Sequence, residues 1–95
     1  MLDYNMYDTT PEHARIYGLE AKKPLYIQLE SDKQKGSGKS LLKQIDMYAE
    51  SNGHDVIFGH ITQHVHPSID IIKSMINKAG FITIEGNNDF YKLIA

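Results

Sequence analysis

From Pro24 to Glu30 the chain alternates. Leu25, Ile27 and Leu29 are separated by Tyr26 and Gln28, the period-two pattern of a strand with one buried face. A polar, glycine-bearing stretch follows from Ser31 to Gly38. The period then changes. Leu41, Leu42, Ile45, Tyr48 and Ala49 recur on one face of a helix over 39–52, and Asn52-Gly53 supplies a left-handed stop. Asp55 to Thr62 is nearly continuous in apolar residues, as expected of a strand buried on both faces. Pro67 opens a second helix carrying Ile69, Ile72, Met75, Ile76 and Ala79 on one face, and Gly80 closes it. The segments 81–85 and 90–94 flank the turn-rich Gly86-Asn87-Asn88-Asp89 and predict an antiparallel hairpin. The order is strand, helix, strand, helix, hairpin, and the first strand–helix–strand unit predicts a parallel crossover.

The first 23 residues are less patterned. Residues 1–9 are polar with scattered Tyr and Met, and predict either a loosely held arm or an edge strand. Thr10-Pro11-Glu12 has the form of a helix start, so a short helix is expected over 11–18, with Gly18 interrupting its weak apolar face. The chain thus divides into an arm at 1–23 and an α/β domain at 24–95, within one domain overall.

Composition narrows the function classes. At 95 residues there is room for one core. Ten basic against twelve acidic residues give a net charge of −2, without the basic footprint of a nucleic-acid binder. No cysteine is present, which removes disulfides and thiolate metal sites and fits a reducing, cytoplasmic setting. The apolar runs are too short to span a membrane. The start MLDYNMYD is acidic and unlike a secretory signal.

The stretch Lys33-Gln34-Lys35-Gly36-Ser37-Gly38-Lys39-Ser40 carries the most chemistry. Glycines at the mouth of a helix let main-chain amides approach a ligand, and those amides with the helix dipole attract phosphate. Gly and Ser also serve ordinary turns and caps, but three lysines in seven residues of a net-acidic chain favour an anion. A nucleotide P-loop, G-x-x-x-x-G-K-[ST], fits the tail Gly38-Lys39-Ser40 and fails at its first glycine, where Lys33 stands.

Lys33 to Gly38 resembles instead the (Q/R)-x-x-G-x-(G/A) signature of the GCN5-related N-acetyltransferases (GNAT). Leu41-Leu42 after the loop, Ala79-Gly80-Phe81 in the place of that family's L-G-F, and the closing hairpin extend the resemblance over roughly residues 24–94. It implies a mixed-sheet βαβα fold ending in a hairpin, with acetyl-coenzyme A or another acyl-coenzyme A as co-substrate and an unidentified amine as acceptor. Main-chain groups around Gln28, Leu29 and Glu30 would hold the pantetheine arm at the mouth of two splayed strands. The loop residues Lys33, Gln34, Lys35, Gly36, Ser37, Gly38 and Lys39 would hold the pyrophosphate. The resemblance implies three strands and two helices ahead of the cofactor-binding strand. With only 23 residues before Pro24, the expectation is a chain that lacks most of the acceptor-binding half.

The second helix departs from the family. Aligned on Gly80, its usual Asn and Tyr fall on Ile69 and Ile76, so the customary acid for the departing thiolate is absent and the stripe is core. Glu30 and His60 are the candidate catalytic groups, each with a plain structural alternative: an exposed strand-end acid, or a hydrogen-bonded strand histidine. Tyr91 is a possible substitute acid. His60, His64 and His66 lack a companion carboxylate at ligand spacing, and no metal is expected. Two functions follow: an acyl-coenzyme A-dependent N-acyltransferase, or a catalytically inert protein of that fold serving a protein partner. The resemblance also implies a homodimer, in which a second copy or residues 1–9 would cover the near-edge strand at 24–30.

Overall fold

A computed structural model describes residues 2–31, 38–62, 69–84 and 86–94. The elements run β1 (Leu2–Asp8), α1 (Pro11–Ile16), β2 (Pro24–Ser31), α2 (Gly38–Ser51), β3 (Val56–Thr62), α3 (Ile69–Lys78), β4 (Ile82–Thr83) and β5 (Asp89–Leu93). Thr10 caps α1 by accepting the His13 amide on its hydroxyl. At the end of α3 the Gly80 amide donates to the Asn77 carbonyl and the Phe81 amide to the Ile76 carbonyl, both at 3.0 Å. This cap needs the left-handed backbone that Gly80 adopts at φ 95°. Gly18 makes the equivalent pair of bonds after α1, so it ends that helix where an interruption was expected.

The five strands form one open mixed sheet in the order β1-β2-β3-β5-β4. β2 and β3 run parallel, as expected of the crossover, and the other neighbours are antiparallel. Alternation sorts the side chains between two faces. One face buries Leu25, Ile27, Leu29, Ile57, Ile61 and Phe90 against Leu42, Ile45 and Ala49 of α2 and Ile72 and Ile76 of α3. The isoleucine stripe of α3 is therefore core. The other face buries Val56 and Phe58 under Ala14 of α1, with Tyr17, Leu19, Ala21, Tyr26 and Tyr91 around them. β3 is thus covered on both sides, which its apolar run required.

Two expectations change. β1 pairs with β2 along its whole length, from Leu2↔Ser31 to Asp8↔Leu25. Of the two readings of the first residues, the edge strand is the one found, and β2 lies inside the sheet with no edge left for a second copy. The splayed mouth does not open: β2 and β3 stay paired through Gln28↔His60 and Glu30↔Thr62. With a strand on either side, the main-chain groups of Gln28, Leu29 and Glu30 point at β1 and β3. No helix among the described residues is long and apolar enough to cross a membrane.

Asp55 ties the α1–β2 connection to the start of β3. Its carboxylate accepts the Lys22 amide at 2.7 Å and the Lys23 amide at 3.0 Å. Desolvation works to raise its pKa, but the two amides outweigh it and hold the carboxyl below its ordinary range. The folded chain therefore binds this proton less readily than the unfolded one. The resulting stability is fully present above the ordinary carboxylate pKa of about 4 and declines as the pH falls through and below it. Asp55→Asn should lower the urea-unfolding free energy at pH 7 by about 1 kcal/mol, since solvent reaches the group. The difference from wild type should shrink toward pH 3. A constant difference across that range would show that the loss is not electrostatic.

Candidate functional site

Ligands of open α/β sheets gather beyond the carboxyl ends of parallel strands. Here that end belongs to β2 and β3, and three features meet there. β2 ends at Ser31, and the next described element, α2, begins at Gly38. Glu30 and Thr62 stand opposite each other as the last pair of the parallel ladder. His60 sits one register step back, opposite Gln28. Period-two alternation puts Gln28, Glu30, His60 and Thr62 on the face that carries α1. On that face α1 and residues 17–21 cover the opposite, amino end of the pair. Glu30 and His60 are diagonal neighbours on adjacent strands, a spacing of roughly 7 Å between β-carbons.

His60 is not isolated. Its Nδ1 lies 3.0 Å from Oδ1 of Asp89, the first residue of β5 and its Cα partner in the β3–β5 ladder. The His60 side chain is 42% exposed and that of Asp89 24%. Asp89 was placed by the sequence in a turn, with no role. The register that brings it to His60 depends on β5 lying directly beside β3, and nothing local encodes that. The turn signal Gly86-Asn87-Asn88-Asp89 located the residue without its partner.

The remaining sequence candidates divide. Gln28 and Glu30 are half-buried on the open part of this face, whereas Leu29 points into the core at 1% exposure. Lys33, Gln34, Lys35, Gly36 and Ser37 lie outside the described residues, as do His64 and His66. Gly38 and Lys39 begin α2, so any anion at that helix start would meet first-turn amides. Tyr91 packs beside Val56 and Phe58 under α1. Burial pushes the Tyr26 phenol up to about 12, with a hydrogen bond to Tyr17 adding to the effect. That makes Tyr26 a poor proton donor to a thiolate. Among the described residues, no group of three or more His, Asp or Glu is placed to hold a metal ion.

The arrangement offers one histidine–carboxylate pair, one further carboxylate and a helix start, at one end of a parallel strand pair. A histidine–carboxylate pair at the carboxyl end of a parallel strand pair can accept a proton from a ligand bound there. No family model, curated protein or solved structure matches the chain.

Proposed function

We propose that this protein is a small acyl-coenzyme A-dependent N-acyltransferase of the GNAT type, transferring an acetyl group to an amine. One observation carries the reading: the His60–Asp89 pair lies toward the carboxyl end of the sheet's parallel strands, the end at which β2 stops at Ser31 before α2 begins at Gly38. The strand order supports it, since a parallel pair precedes a closing antiparallel hairpin, with the loop between the first strand of the pair and its crossover helix. Under this reading the amides from Gln34 to Lys39 hold the pyrophosphate. Because the ladders on both sides of β2 are closed, the acyl arm lies over the side chains of Gln28 and Glu30 rather than in a gap between strands. His60 accepts the proton of the attacking amine, and Glu30 sits where it draws the ammonium form of that amine to the site.

The closed ladder also favours a second reading, an inert protein of the same fold that serves a protein partner. Ile76, buried where the family has its tyrosine, points the same way. Thermal unfolding with acetyl-coenzyme A, desulfo-coenzyme A and ATP in parallel separates the cases. A ligand at a hundredfold over its Kd adds about 2.7 kcal/mol, which for a domain of this size is a rise of roughly 10 °C or more. Both coenzyme A compounds should produce it and ATP should not, and Gly36→Glu should abolish it by blocking the close approach of the loop. No shift with either coenzyme A compound would overturn the acyltransferase reading. A shift without turnover of acetyl-coenzyme A would select the inert one.

A further inference from the structure

Among the described residues two histidine–aspartate pairs stand out, and their geometry gives them opposite fates. In the first, His54 Nε2 lies 2.9 Å from Asp8 Oδ1 and the imidazole is 1% exposed. Its other nitrogen, Nδ1, is buried without a hydrogen-bond partner, and Tyr48 stacks on the ring at 5.8 Å. No substrate reaches that nitrogen, so the pair serves to fix β1 to the end of α2. In the second pair the bond is made through Nδ1, and His60 is 42% exposed.

We infer that Asp89 is the positioning residue of a histidine base at His60, holding the proton on Nδ1 and leaving Nε2 as the accepting nitrogen at the carboxyl end of the sheet. An ionised carboxylate can only accept, so across the 3.0 Å contact the hydrogen belongs to the imidazole. Asp89 is itself held. Its amide donates to Asn87 Oδ1 at 2.8 Å, and its carbonyl accepts the Ile84 amide at 3.1 Å. Just before it in the chain, the Asn88 carbonyl accepts the Ile61 amide at 2.9 Å, and the Asn87 carbonyl accepts Lys73 Nζ at 2.7 Å. A carboxylate at a strand start fixed from β3, from α3 and from within its own hairpin sets both the ring's orientation and its tautomer. This is the role the third member of a nucleophile–base–orienter arrangement plays. The base role rests on the acyltransferase reading; the tautomer does not.

Long-range proton–nitrogen correlation spectra of protein labelled with ¹⁵N-histidine read the tautomer directly. Neutral His60 should show Nδ1–H in the wild type. In Asp89→Asn the new amide can donate to Nδ1, so the proton should move to Nε2. Diethyl pyrocarbonate gives a second readout. The free imidazole nitrogen attacks a carbonyl carbon, a new N–C bond forms, and the C–O bond breaks to release ethyl carbonate, while the ring proton passes to solvent. Wild-type His60 should be modified while His54 is spared, and Asp89→Asn should slow the reaction at His60 about tenfold. An Nε2–H tautomer in the wild type, or a tautomer and modification rate unchanged by Asp89→Asn, overturns the inference.

Transfer from acetyl-coenzyme A to lysinamide tests the base role. Asp89→Asn should lower kcat about 10²-fold with little change in KM. A wild type that holds His60 as Nδ1–H yet transfers nothing overturns the base role, while the positioning by Asp89 stands.

Discussion

Gly59→Ala is expected to abolish the folded state or leave it barely populated. Gly59 lies in the middle of β3, paired with Ile27 on one side and Phe90 on the other. A β-carbon there would sit well inside contact distance of the Ile27 carbonyl oxygen. It would also meet the Ile27 carbonyl carbon at 2.8 Å and the Phe90 ring at 2.9 Å. The ring edge can shift, but the carbonyl belongs to a strand held by ladders on both sides. Relief therefore requires β2 and β3 to part at the centre of the sheet. Ordinary overpacking costs about 1–3 kcal/mol. A clash with main chain belongs above that range, at about 4 kcal/mol or more, against a total stability on the order of 5–14 kcal/mol for 95 residues. Urea unfolding followed by circular dichroism measures it. Gly86→Ala is the control: nothing lies within 4 Å of its added carbon, and only the left-handed φ of 92° is strained, a loss of about 1 kcal/mol. A Gly59→Ala protein as stable as the Gly86→Ala one would mean that the strands do not approach this closely. The close approach also matters to the site, because it sets the separation of His60 from Gln28 and Glu30 across the same pair of strands.

The sequence made local periodicity legible and left non-local pairing hidden. Leu42, Ile45 and Ala49 on α2, and Ile72 and Ile76 on α3, are buried because a 3.6-residue stripe had one sheet face to cover. The hairpin pattern predicts a first strand opening at Phe81, yet β4 begins at Ile82. Phe81 is the reason. Its amide is engaged by the Ile76 carbonyl in the α3 cap and its ring is buried against Phe90 at 5.6 Å, so it completes the helix end and does not join the ladder. β1 carries a short alternation, Leu2, Tyr4 and Met6 against Asp3 and Asn5, but a pattern of that kind marks a strand without naming its partner. Among the described side chains, Tyr4 and Met6 reach the α2 side, Tyr7 meets the Tyr26 ring at 6.2 Å and Asp8 bonds His54. The rest of the pairing is the main-chain ladder to β2. For the site, His60 and Glu30 were found because a titratable group at the end of a strand is conspicuous. Asp89 was not, because its role depends on which strand lies beside β3.

Phe58→Ala should cost about 3–5 kcal/mol, and the loss should be unevenly distributed. Phe58 is fully buried on the face opposite α2 and α3. Its ring centroid lies 5.1 Å from His13, 4.9 Å from Tyr17 and 5.3 Å from Tyr26. The α1 helix has six residues, too few to persist in water by its own hydrogen bonds. Its attachment depends on Ala14 and these rings, each aromatic contact contributing about 0.5–1.5 kcal/mol beyond burial. Removing Phe58 should therefore release α1 and the 17–21 connection before the sheet itself yields. Hydrogen exchange tests the order: the amides of Tyr17, Gly18 and Leu19, bonded to Ala14 and Arg15 carbonyls, should lose protection well before those of α2. Phe90→Ala, on the α2–α3 face, should cost a similar amount and spare those three amides. If Phe58→Ala lowered protection equally in α1 and α2, α1 would be an integral part of the cooperative fold. The position of α1 would then be as fixed as the sheet, and the open carboxyl end around His60 would be the only part of that face still free to admit a substrate among the described residues.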